Sequence, residues 1–291
     1  VKARKQSQKR LRDAEKRAAK ATKQAEDKRH YAKKLKEKIT KVDKALRDNT
    51  ESTLIDKEDL HGLPNAVEQL VDGREIIFQP NEGPQEEFLS SSERDVLYGG
   101  SAGGGKSFAL LADPLRYCHN GNHRGLLLRR TLDELTELID KSRQLYPKAF
   151  PGAKFRESKS TWHFPSGATI WFTYLDKDKD VTRFQGQAFN WIGIDEITQY
   201  PSPYVWDYLR SRLRTTDPEL QEHLYMRCTA NPGGVGGWWV KKMYIDPSEH
   251  GSTFAAMDIE TGKPFLWPKG HEKEGEPLFY RRFIPARLTD N

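Results

Sequence analysis

The 291-residue sequence predicts an α/β domain, a mostly parallel sheet with helices on both faces, preceded by a long N-terminal helix or coiled coil. Three observations carry that prediction. Residues 1 to 61 contain no Gly or Pro and repeat an apolar seam at alternating steps of three and four. A glycine-rich stretch, GGSAGGGKS, sits between a short apolar run and a helix-forming run. The apolar run Trp191 to Ile194 breaks off at Asp195, the pattern of a strand buried on both faces of a parallel sheet, and HLYMRCTANPGG reads as another buried strand.

The basic segment comes first. Its seam runs Leu11, Ala14, Ala18, Ala21, Ala25, Lys28, Ala32, Leu35, Ile39, Val42 and Leu46, a coiled-coil spacing whose alanine-lined first half buries little area. Residues 1–49 hold 19 Lys or Arg against 7 Asp or Glu, whereas the whole chain carries only +6, so the remaining residues are net acidic. The segment reads as a solvated helix, a coiled coil with another subunit, or an arm that gains nucleic-acid affinity by releasing counterions. Tyr31 is its only aromatic residue, so base stacking is not expected. Gly62 and Pro64 mark the boundary, giving an expected extension and linker over 1–60 and a body over 61–291.

Composition excludes several classes for the body. Cys118 and Cys228 are the only cysteines and form no CxxC pair, which argues against a disulfide framework and against zinc. No run of 18 apolar residues and no secretory leader is present, so a membrane partner is not expected. The chain opens on Val1, which suggests a fragment.

Within the body, Val96 to Tyr98 reads as a buried strand and Lys106 as the start of a helix. Between them, Gly100, four residues, then Gly105, Lys106 and Ser107 have P-loop spacing. Glycines here let backbone N–H groups of Ser101, Ala102, Gly103 and Gly104 approach phosphate oxygens. Lys106 would reach the β and γ phosphates, and the Ser107 hydroxyl would ligate Mg2+. The body is therefore expected to be a P-loop NTPase of the ASCE type binding ATP and Mg2+.

GLLLRR is the next strand, and Thr131-x-x-Glu134 is a capping box opening a helix with Leu132, Leu135, Ile139 and Tyr146 along its inner face. A hairpin is expected around Pro165 to Gly167. Asp195 and Glu196 then leave the Trp191–Ile194 strand together, Asp195 to hold the metal and Glu196 to deprotonate the attacking water. Ser202 and Pro203 read as N-cap and first residue of a helix carrying Trp206, Leu209 and Leu213 inward. The last buried strand ends in Thr229, Ala230, Asn231 and Pro232, where Thr229 or Asn231 senses the γ phosphate or the residues simply stop the strand. Trp238 and Trp239 are read as core, and Arg210, Arg212 and Arg214 as helical.

Taken together, YGGSAGGGKS, LLLRRT, FPSGATIWF, RFQGQAFNWIGIDEIT, TANPGGVGGWWVKKMYI and FIPARLTDN resemble, in order, the ATPase half of tailed-bacteriophage large terminase subunits, over about residues 78–291. The resemblance implies an ATP-hydrolysing motor that translocates double-stranded DNA into a procapsid. It also implies a homo-oligomeric ring on the portal protein, a small terminase subunit as partner, and work in the cytoplasm of the infected host. A nuclease domain normally follows in such proteins; its acidic cluster is not visible here, so translocation without cutting is expected. By motif, Gly100, Gly105, Lys106 and Ser107 match the Walker A loop, Asp195 and Glu196 match Walker B, and Thr229 and Asn231 fall in the coupling motif. Gln85 stands at the adenine-reading glutamine, Arg183 at the arginine finger given to a neighbour, and Arg129 and Arg130 are its rivals. Other readings are a different P-loop translocase or helicase, or a nucleotide-gated assembly protein with a DNA-binding basic arm.

Overall fold

The computed structural model describes residues 77–101, 103–248 and 251–287. The expected helix over 1–60, the boundary near residue 60, Ala102 and the last four residues of FIPARLTDN lie outside them. The chain divides into two units, Val1–His61 and Gly62–Asn291, and only the second is described below.

A nine-stranded sheet organises this unit. Its centre is made by β1 (Asp95–Gly100), β2 (Arg124–Arg129), β5 (Thr169–Tyr174), β6 (Trp191–Ile194), β7 (Tyr225–Ala230) and β9 (Tyr280–Ala286). These run parallel in the spatial order β5-β2-β6-β7-β1-β9. Short antiparallel strands finish both edges, β3 (Lys154–Arg156) and β4 (Thr161–His163) beyond β5, and β8 (Thr253–Ala255) beyond β9. The β4–β5 pair is the hairpin expected around Pro165 to Gly167.

Successive side chains of the central strands feed opposite layers, because a strand alternates faces at every residue. Val96 and Tyr98 enter one core with Leu127, Ile170 and Phe172, whereas Leu97 enters the other with Leu126, Leu128, Ile192 and Ile194. Helices α1 (Pro84–Ser90), α2 (Lys106–Ala112) and α3 (Leu132–Ala149) close the first core through Phe88, Leu110, Leu138 and Tyr146. On the second face, α4 (Tyr204–Arg210) and α6 (Gly237–Val240) contribute Trp206, Leu209 and Trp239, while the four-residue α5 (Pro218–Gln221) leads into β7. Both faces of the sheet are thus covered, which is why WIGI and YMRCTA are buried at every position. The fold is that of a P-loop NTPase.

Several local expectations change. Leu132, the first residue of α3, is 52% exposed rather than inward. Leu138 and Leu145 take the inner face with Leu135, Ile139 and Tyr146. Pro203 caps α4 instead of being its first residue, and Ser202 Oγ accepts from the Tyr204 N–H at 3.4 Å. The helix ends at Arg210, so Leu213, Arg212 and Arg214 lie beyond it. The tryptophan pair splits: Trp239 is fully buried with its indole N–H on the Tyr200 carbonyl, and Trp238 is 59% exposed.

Strand order decides where the chemistry collects. Parallel strands end on the same edge of a sheet, and ligands of open α/β sheets bind outside those carboxyl ends. Here β7 is inserted between β1 and β6, the ASCE arrangement, so the ends carrying the glycine loop, Thr229 to Asn231, and Asp195 with Glu196 are adjacent in that order.

Candidate functional site

The glycine loop leaves β1 against the end of β9. Ser101 N–H donates to the Ala286 carbonyl at 3.1 Å, and a side chain at Gly100 (φ 136°) would run into that carbonyl. Beneath the loop, the buried Tyr98 hydroxyl donates to the Gly104 carbonyl at 2.6 Å. Gly105 adopts φ 64°, the left-handed region where glycine alone is unstrained, and opens α2. Gln85, expected on the surface apart from the resemblance, is buried: its amide donates to the Gly105 carbonyl at 3.0 Å and accepts from Asn81 N–H at 2.7 Å. Packing against the loop is therefore its observed contact.

Lys106 is 6% exposed, and its Nζ donates to the carbonyls of Ser101 at 2.5 Å and Gly100 at 3.3 Å, so its ammonium is held inside the loop. Burial lowers its pKa, and the carboxylates of Glu196 and Asp195 pull in the opposite direction. The next residue, Ser107, places its Oγ 3.5 and 3.4 Å from the two Asp195 carboxylate oxygens. A hydroxyl and a buried carboxylate converging this way are hard oxygen donors, the set that suits Mg2+.

Asp195 is completely buried and accepts from Thr229 Oγ and from the Arg129 guanidinium. Glu196 has φ 54°, an unusual conformation for a non-glycine residue, which turns its carboxylate toward β7. There Asn231 clasps it, the backbone N–H donating to Oε2 at 2.9 Å and the side-chain amide to Oε1. The Glu196 N–H donates to Thr229 Oγ at 3.1 Å. Burial pushes the Glu196 pKa up and the Asp195 charge adds to this, while the Asn231 N–H, Arg129 and Lys106 oppose it. Thr229 and Asn231 are therefore bonded to Asp195 and Glu196 respectively, and the strand-stop reading does not account for those contacts.

The three arginines have different surroundings. Arg129 is ion-paired to Asp195 and lies 3.6 Å from Glu134. Arg130 pairs with Asp178 at 2.6 Å and covers the Tyr200 ring. Arg183 is exposed, but its guanidinium bonds Thr173 Oγ and the Tyr174 carbonyl at the end of β5 and lies over the Phe184 ring. Glu134 and Gln199, absent from the sequence reading as site residues, join the same region, with Gln199 Nε2 donating to Glu134 Oε1 at 2.7 Å. Glu134 was visible only as the far end of a capping box.

Residues 97–230 match the family model described as terminase large subunit, T4likevirus-type, N-terminal. Over these residues the chain is similar to the N-terminal part of terminase large subunits. The terminase match runs from β1 to the last residue of β7, so it takes in the glycine loop, Arg129, Asp195, Glu196 and Thr229 and stops just before Asn231. Solved structures similar to the chain include the large terminase of a thermophilic bacteriophage, at 17% identity and TM-score 0.43, covering 55% of this chain and 41% of that one. The HK97 bacteriophage large terminase follows at 13% identity and TM-score 0.43, covering 58% and 37%. The ATPase domain of the Thermus phage P74-26 large terminase has 11% identity and TM-score 0.46, covering 61% and 73%. The chain thus spans about two fifths of the length of the first two terminases. No curated protein matches it. Among the described residues, no helix is long and apolar enough to cross a membrane, and no group of three His, Cys, Asp or Glu side chains could hold a metal.

Proposed function

We propose that residues 61–291 form the ATP-hydrolysing motor domain of a DNA-packaging terminase, and that hydrolysis drives double-stranded DNA into a procapsid. The observation that carries this reading is the convergence of Lys106, Ser107, Asp195, Glu196 and Asn231 at the carboxyl ends of three adjacent strands. In this reading the backbone N–H groups of residues 100–105 and the Lys106 ammonium cradle the phosphates. Ser107 and Asp195 hold Mg2+, which supplies charge neutralisation on the phosphate oxygens when bound. Glu196 orients the attacking water and accepts its proton, a role that suits a carboxylate whose pKa burial has raised. Asn231, bonded to that carboxylate through both its backbone and its amide, registers loss of the terminal phosphate and transmits it into the loop before α6.

The same reading places the chain in a homo-oligomeric ring on the portal, with a small terminase subunit, in the host cytoplasm. Arg183 acts as the finger for a neighbouring subunit, Gln85 reads adenine once released from Gly105, and the segment 1–60 is a separate basic module. The family match over β1 to β7 supports the terminase reading above a general helicase. Glu196→Gln is the decisive test. It is expected to keep ATP binding and lose at least about a hundred-fold in turnover, the contribution of a positioned base. Undiminished hydrolysis would remove Glu196 from this role.

A further inference from the structure

Arg129 stands between two carboxylates. Its guanidinium bonds Asp195 Oδ2, while its Nε is buried without a hydrogen bond and faces Glu134 Oε2 at 3.6 Å, close enough for attraction but too far to bond. Glu134 is itself fixed as a receiver. Thr131 Oγ donates to Oε2 at 2.9 Å and Gln199 Nε2 to Oε1 at 2.7 Å. Although burial opposes it, these two bonds and the Arg129 charge hold the Glu134 pKa below its usual range. Thr131 and Glu134 open α3, and Gln199 lies three residues after Glu196, so the chain Asp195–Arg129–Glu134–Gln199 returns to the loop it started from.

We propose that Arg129 works inside its own subunit as an exchangeable counter-ion of Asp195, moving its charge to Glu134 when Asp195 turns to a divalent cation. It is then a positioning residue and not a finger offered to a neighbour. Two observations support the assignment: the side chain is 13% exposed, and only one of its two carboxylate neighbours is hydrogen-bonded. Electrostatics gives the direction. A cation approaching Asp195 must displace a guanidinium already there, and the displaced charge loses least if a second carboxylate lies within a few ångströms.

The inference rests on the proposed metal role of Asp195, and the test separates the two. Mn2+ binding to the nucleotide-free full chain is titrated by the spin-resonance signal of the free ion. Arg129→Gln is expected to bind Mn2+ about ten- to a hundred-fold more tightly than wild type, since no charge-assisted bond to Asp195 has to be broken. Arg129→Lys, which keeps the charge, stays near wild type. Glu134→Gln, which removes the receiver, binds Mn2+ more weakly. Unchanged or weaker Mn2+ binding by Arg129→Gln overturns the inference while leaving the motor reading intact; a wild-type chain that neither binds Mn2+ nor hydrolyses ATP overturns both. Mixing Arg129→Gln chains with Glu196→Gln chains is expected to restore no turnover, and recovery would place Arg129 in a neighbouring site and refute the assignment.

Discussion

Removing the Asp95 carboxylate tests how the glycine loop is anchored. Asp95 begins β1, five residues before Gly100, and faces Arg281 directly across the β1–β9 pair. Both are almost fully buried, at 2% and 1% exposure. Asp95 accepts from Arg281 Nε at 2.9 Å and from the Tyr244 hydroxyl at 2.5 Å, and Arg281 also donates to the Met257 carbonyl at 2.8 Å. In Asp95→Ala the guanidinium keeps its burial and one carbonyl but loses its counter-ion, a change that costs about 3–5 kcal/mol. For a unit of this size that lowers the melting temperature by roughly 6–20 °C, at about 2–4 °C per kcal/mol. Differential scanning calorimetry on the full chain measures it, with Arg281→Met and the double variant completing a cycle. The double variant is expected to recover most of the loss, because two apolar residues leave no unpaired charge. A drop below about 1 kcal/mol for Asp95→Ala, or a double variant as unstable as the sum of the singles, would refute a coupled buried pair.

Two other perturbations follow from single contacts. Gly105→Ala places a Cβ 2.5 Å from Gln85 Nε2 at φ 64°, and the left-handed conformation alone costs an L-residue about 1–2 kcal/mol, so affinity for a fluorescent ATP analogue should fall roughly ten-fold. His123 is fully buried, and burial, reinforced by Arg124 and only partly opposed by Asp113, lowers its pKa to about 3. It stays neutral in the folded chain while the unfolded chain takes up a proton below pH ~6.5, so its contribution is complete above pH ~6.5 and is lost as pH falls toward 3. His123→Gln should therefore flatten the denaturant-measured loss of stability across that window by up to about 1.4 kcal/mol per pH unit, and an unchanged slope would mean that His123 does not stay neutral there.

Much of the site was legible because its signals are local. A left-handed turn needs glycine, so the loop from Gly100 to Gly105 shows in the letters alone. A strand covered on both faces favours an unbroken apolar run, so Trp191–Ile194 announced its own burial, whereas YMRCTA is buried at every position although it carries Arg227 and Thr229. The helix ends were less legible: Thr131 caps α3 as read, but whether Leu132 faces in or out depends on a rotation that one capping residue does not set. Likewise Trp238 and Trp239 are adjacent letters on a helix, necessarily about 100° apart, so only one faces the core.

By itself the sequence determined the strands that flank the site, the phosphate loop and the identity of the two acidic residues after β6, while α1, α5, β8 and β9 emerged only in the structure. Tertiary structure alone decided what those residues touch. Asn231 reaches Glu196 across 35 residues, Gln199 reaches Glu134 across 65, and Arg281 reaches Asp95 across 186. No periodicity encodes such pairs, because they depend on strand order: the insertion of β7 between β1 and β6 brings Thr229 and Asn231 against the acidic pair. The same packing turned Arg129 from a rival candidate for the arginine finger into the partner of Asp195.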